Sequence, residues 1–126
     1  MRATGILLPT PSMTRFKRGD VVLVRFPFTD ASSSKRLPAI VISSRDYNMT
    51  SPDVLIASVT SRLDAIPHLG DHVISDWRKA GLLVPSLAQT KIATIESKMI
   101  ERTLGQLDAE DWDRFEVGLR RALGFT

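Results

Sequence analysis

The chain has 126 residues, 43% of them hydrophobic, with no cysteine, a formal charge of +3 and a pI near 9.7. That length suits one hydrophobic core and excludes a second full domain, while the lack of cysteine excludes disulfides and thiolate chemistry and fits a reducing compartment. The mild positive balance favours an anionic partner (RNA, DNA or an acidic peptide) but falls short of the charge density of a protein that coats nucleic acid.

The opening "MRATGILLPTPSM" carries an apolar stretch, Ile6-Leu7-Leu8, too short for a signal-peptide core or a membrane span, and Pro9 and Pro11 oppose a helix. Residues 1–12 are expected to be a disordered tail, with Met13 as an alternative start and 13–126 as the folded domain. No later segment is long and apolar enough to cross a membrane, which points to a soluble, cytoplasmic protein. Val21–Phe26 has the composition of a buried strand entered from the turn "KRGD". Pro27–Lys35 then makes a polar loop, long for a hairpin and so a functional candidate.

Ala39-Ile40-Val41-Ile42 is a continuous, largely β-branched run, the mark of a strand covered on both faces. It predicts a second strand over Ala39–Ser43, opened by Pro38, with Lys35 and Arg36 on the loop that feeds it. "RDYNMTSPD" is expected to turn, Val54–Val59 to form a third strand, and "TSRLDAIPHLGD" to be loop. A fourth strand begins at His72–Ile74. "SDWRKAG" suits one helical turn capped by Ser75 or Asp76 and stopped by Gly81, and Leu82–Val84 and Ala88–Ile95 suit two more strands.

The last segment is the clearest helix. Asp108 is placed to cap it, and Glu110, Asp111 and Asp113 crowd the positive end of the dipole. Trp112, Phe115, Leu119 and Leu123 recur on one face, and Glu116 with Arg120 forms an i,i+4 pair. The expected fold is a single, mostly β domain: a small, largely antiparallel barrel closed by a C-terminal helix.

Few residues carry chemistry. His68, Asp71 and His72 are near one another, but Pro67 and Gly70 forbid the helix on which an i,i+4 histidine pair converges on a metal. No nucleophile elbow, Walker loop or dinucleotide fingerprint is present. Asp76, Asp108, Glu110 and Asp111 stand where helix starts attract carboxylates. What remains is Lys35 and Arg36 before the second strand and Thr60, Ser61 and Arg62 after the third. A guanidinium, a hydroxyl and backbone N–H groups form a phosphate-binding set, and adjacent strands would bring the two groups together.

"RFKRGDVVLVRFPFTD…KRLPAIVIS", "DVLIASVTS" and "DWRKAGLLVPS…KIATI…LGQL", in that order from about Arg15 to Phe125, resemble the PemK/MazF family of type II toxin–antitoxin toxins. The resemblance implies an SH3-like barrel with a C-terminal helix, a symmetric homodimer, and a cognate antitoxin as partner. It also implies an endoribonuclease that cuts single-stranded RNA without metal or other cofactor, by attack of the ribose 2′-OH, leaving 2′,3′-cyclic phosphate and 5′-OH ends. The family's catalytic hydroxyl falls on Thr60, with Ser61 beside it. Its catalytic arginine stands immediately before the proline of R-P-A; here that position is Leu37, and the arginine is one place earlier, at Arg36. The site expected from this resemblance is therefore Arg36 and Thr60 for catalysis, with Lys35, Ser61 and Arg62 holding RNA. The alternative is a non-catalytic, toxin-like module that binds a protein, as gyrase poisons do.

Overall fold

The computed structural model describes residues 16–27 and 34–125. The expected tail, the alternative start and most of the polar loop after the first strand lie outside the described residues. The elements run β1 (Asp20–Pro27), β2 (Ser34–Val41), α1 (Arg45–Thr50), β3 (Asp53–Thr60), β4 (His72–Val73), β5 (Leu87–Glu96), a 3₁₀ turn (Ser97–Met99), β6 (Ile100–Gln106) and α2 (Ala109–Leu123). The six strands form one antiparallel sheet in the order β4-β5-β3-β2-β1-β6.

Alternation along the central strands explains why their sequences do not alternate. Val22, Val24, Ala39, Val41, Val54 and Ile56 share one cluster with Phe16 and Ile95. Val21, Ile40, Ala57 and Val59 point the other way, into a cluster completed by Phe115 and Leu119 of α2. Both faces are covered there, so the runs Val21–Val24, Ala39–Val41 and Val54–Ala57 are continuously apolar. Phe115 is fully buried, which removes a side chain worth roughly 1.5–3 kcal/mol from water.

The terminal helix follows the sequence closely. The Asp108 carboxylate accepts from Glu110 N–H at 3.2 Å, and Gly124, at φ 80°, closes the helix with its N–H on the last-turn carbonyls. Leu123, by contrast, is half-exposed rather than packed with the other three apolar residues. Backbone meets backbone at one point: a Cβ on Gly118 would lie 2.2 Å from the Gly70 carbonyl oxygen, so α2 sits directly on the loop before β4.

Four local expectations are corrected. β2 begins at Ser34 rather than Ala39, placing Lys35, Arg36, Leu37 and Pro38 inside the strand, and it ends at Val41 rather than Ser43. Pro38 is tolerated because its strand is paired there only with β1; the ladder to β3 covers Ala39 to Val41. "RDYNMT" is a helix, not a turn. It has no apolar periodicity and is held instead by the Ser44 cap and by buried Asn48, whose amide donates to the Phe16 carbonyl at 3.0 Å. Leu82–Val84 is not a strand: Leu82 N–H donates to the Trp77 carbonyl, closing the turn that Asp76 caps and Gly81 stops. Finally, β6 was not anticipated, because its pairing with β1 is interrupted by two register shifts that break the alternation.

Candidate phosphate-binding groove

The middle of β2, the end of β3, Leu23 of β1, β6 and the segment from Gly81 to Ser86 line a groove of about 500 Å³. Its walls are apolar (Leu23, Leu37, Pro38, Leu82 and Leu104 among them), and its polar groups are Thr60, Ser61, Ser86 and Arg102. This mixture of apolar walls and a few converging polar groups suits ligand binding. Gly81 makes the wall possible: at φ 78° it rests against β6, where a Cβ would lie 2.1 Å from the Leu104 carbonyl oxygen.

Thr60 ends β3, and its Oγ1 accepts from Arg62 N–H at 3.1 Å. That bond fixes the side chain and leaves the hydroxyl hydrogen with no acceptor among the described residues. Ser61, next in the chain, is exposed on the same groove. These two expected site residues are therefore brought together.

The expected cations are placed differently. Arg36 does not line the groove: its Nε donates to Glu101 Oε2 at 2.7 Å. By strand alternation Arg36 lies on the same face of β2 as Pro38, which does line the groove, so it is the bond to Glu101, not the face, that holds the guanidinium away; Leu37, on the other face, also borders the groove. Arg25 stands directly across from Arg36, its Nε 4.0 Å from the same Glu101 oxygen. Arg62 is exposed and pairs with Asp64 at 3.7 Å, and Lys35 is exposed near the start of β2.

One cation was missed by sequence reasoning. Arg102 borders the groove from β6 and has no ion pair or hydrogen-bond acceptor among the described residues. In "MIERTLG" the few apolar residues, Met99, Ile100 and Leu104, make neither a continuous run nor a regular alternation to mark a strand, and only the pairing of β6 with β1 brings Arg102 to this site. A second hollow, of about 410 Å³ between α1 and α2, also has arginines on its wall, but both are engaged. Arg18 donates to the Ile42 carbonyl at 3.0 Å, and Arg120 to Glu116 at 3.2 Å.

The scaffold carboxylates are fully satisfied. Burial pushes the Asp111 carboxyl up, but N–H donation from Asp76 and Ser75, and then the bond to His72, outweigh it and hold its pKa below 3.8. Asp71 is likewise lowered: burial raises it, and donation from His68 and Thr90 overcomes that. Each histidine thus sits beside a carboxylate, His72 Nε2 2.7 Å from Asp111 and His68 Nδ1 3.4 Å from Asp71. No group of three His, Asp or Glu side chains able to hold a metal ion occurs among the described residues.

The fold is a small antiparallel β domain with one C-terminal helix and an open groove lined by apolar side chains, Thr60, Ser61, Ser86 and Arg102. The family model for the PemK-like, MazF-like toxin of type II toxin–antitoxin systems matches residues 17–123, and the chain belongs to that family. No curated protein sequence matches it. Among solved structures, it is similar to MazF in a MazE–MazF crystal structure from Deinococcus radiodurans, at 20% identity and a TM-score of 0.71, covering 88% of this chain and 97% of that one. It is also similar to an endoribonuclease from a mycobacterial species (19%, TM-score 0.66, 87% and 92% covered). A third likeness is to the Mycobacterium tuberculosis toxin MazF-mt6 (15%, TM-score 0.68, 85% and 98% covered). Among the described residues no helix is long and apolar enough to cross a membrane.

Proposed function

We propose that this protein is the toxin of a type II toxin–antitoxin system and acts in the cytoplasm as an endoribonuclease on single-stranded RNA. The observation that carries the proposal is the groove itself, where the oriented Thr60 hydroxyl and an unpaired guanidinium share one apolar-walled site. In the reaction, the ribose 2′-oxygen attacks phosphorus and a new O–P bond forms as the bond to the 5′-oxygen breaks. The 2′-OH proton passes to solvent and the 5′-oxygen takes one up, so no metal or other cofactor is consumed or required. Such a step needs donors around the pentavalent phosphate more than it needs a strong base.

Thr60 and Ser61 orient the phosphate. Lys35, Arg36 and Arg62 meet the charge on the RNA backbone around the groove. Arg36 is available at small cost, because its bond to Glu101 is solvent-exposed and worth at most about 1 kcal/mol. An arginine, with a pKa above about 12, serves as charge stabiliser and proton donor rather than base.

The antitoxin would present an acidic segment to the same cations. A homodimer would bury the exposed Leu83 beside the groove, whereas Trp77 and Leu82 are packed against the core. Light scattering at micromolar concentration tests the dimer. The central test is incubation of the purified protein with a long RNA in EDTA, followed by mapping of cut ends. Cyclic phosphate and 5′-OH termini support the proposal, and intact RNA refutes it. The competing reading, a non-catalytic protein-binding module, has one observation in its favour: Leu37 lines the groove in place of an arginine.

A further inference from the structure

We infer that Arg102 is the cation that meets the scissile phosphate, replacing the arginine absent at position 37. The inference rests on the RNA-cleaving function proposed above and names a residue for it on a different strand.

Strand register makes the first case. Pro38 lies opposite Leu23, and Leu23 lies opposite Arg102, so the three form one row across β2, β1 and β6. Directly opposed residues share a face, which places Arg102 on the face of Pro38, two strands and roughly 10 Å away. All three line the groove that Thr60 and Ser61 also line. An anion bound between Arg102 and Thr60 would lie over Leu23 and Pro38.

The division of charges makes the second. β1 and β6 slip register between Leu23 and Val24, so that Leu23 faces Arg102 while Val24 faces Ile100. Glu101 is the extra residue of this bulge, and bulges re-aim side chains. Here the carboxylate reaches Arg36 at 2.7 Å, with Arg25 at 4.0 Å. The carboxylate is spent on β1 and β2, and Arg102 keeps its full charge. Arg102 is itself exposed, beside Leu23 and Leu104 at the groove, so its guanidinium is open to an arriving phosphate. Arg36, one residue from Leu37 and tethered by Glu101, is then left to the flanking backbone.

The test compares the unmodified protein with Arg102→Gln, Arg102→Lys, Arg36→Gln and, as a control on the outer helix face, Arg121→Gln. Single-turnover cleavage of a long RNA in EDTA is read together with the melting temperature and with affinity for a 2′-deoxy oligonucleotide that cannot be cleaved. Removing one transition-state donor typically lowers the rate by about 10²–10³-fold. Arg102→Gln should lose that much in kcat with an unchanged melting temperature. Arg102→Lys should recover part of it, and Arg36→Gln should act mainly on KM. If Arg102→Gln cleaves within twofold of the unmodified protein, or if Arg36→Gln loses more kcat than Arg102→Gln, the assignment is overturned and the proposed function stands. If the unmodified protein does not cut RNA, the proposed function falls, and the deoxy oligonucleotide decides the assignment separately. A salt dependence flattened by about 0.7 in Arg102→Gln keeps Arg102 as a phosphate contact, and an unchanged slope removes it.

Discussion

Asp111 and Arg102 stand at opposite edges of the same sheet and have opposite fates. Asp111, against β4, is buried and accepts from Ser75 N–H at 2.8 Å and Asp76 N–H at 2.9 Å. His72 Nε2 lies 2.7 Å away. Arg102, on β6, has no partner among the described residues and borders an open groove. A buried charge without partners would be too costly to keep, so Asp111 is there to hold helix, turn and strand together. A charge left unpaired between apolar walls is instead available to a ligand. A charged side chain is thus structural at one edge and open at the other. Partners, not residue type, tell them apart.

The comparison predicts that damage at the two edges separates stability from activity. The largest effect should come from Asp111→Ala, which takes the shared acceptor from the Ser75 and Asp76 N–H groups and from His72 and empties a buried position. About 3 kcal/mol of stability should be lost, seen as a lower urea midpoint, with cleavage by the surviving folded fraction unchanged. A loss below 0.5 kcal/mol would remove the structural role assigned to Asp111.

Thr60→Ala should do the reverse. Its hydroxyl is a neutral donor, so the cleavage rate should fall about tenfold while the urea midpoint stays in place. A large fall in stability instead would make Thr60 a scaffold residue.

Acid sharpens the same contrast. Asp111 and Asp71 have folded-state pKa values held below 3.8, so their stabilisation is complete above that value. It is lost as pH drops through the lower folded-state values. The melting temperature should therefore hold from pH 7 to about 5 and fall below about 4. In Asp111→Asn the acid fall should be shallower; an equal fall would assign acid sensitivity to other carboxylates.

The smallest effect is expected at Lys35, exposed and outside the groove. Lys35→Ala should weaken RNA binding and flatten its salt dependence by about 0.7, with the catalytic rate untouched. A lost rate with an unchanged salt slope would place Lys35 at the chemistry.

Thr60 and the terminal helix were legible in the sequence because each is marked by its immediate neighbours. "DVLIASVT" is an apolar run ending in a hydroxyl, and "DAEDW" is a cap before a 3.6-residue pattern. Such signals depend on backbone geometry within a few residues, and they also carried the family resemblance. Lys35 and Arg36 were misplaced onto a loop because Pro38 reads as a strand start. What allows it inside β2 is a missing partner on one side, a fact about β3. Arg102 had no local mark at all. Its place opposite Leu23, and the diversion of Glu101 toward Arg36, follow from a bulge in the pairing of strands from opposite ends of the chain. The chain by itself determined which segments form strands and helix and where a hydroxyl ends β3. Register between distant strands decided which arginine is engaged and which has no partner among the described residues, because the slip between β1 and β6 aims Glu101 at Arg36 rather than at Arg102.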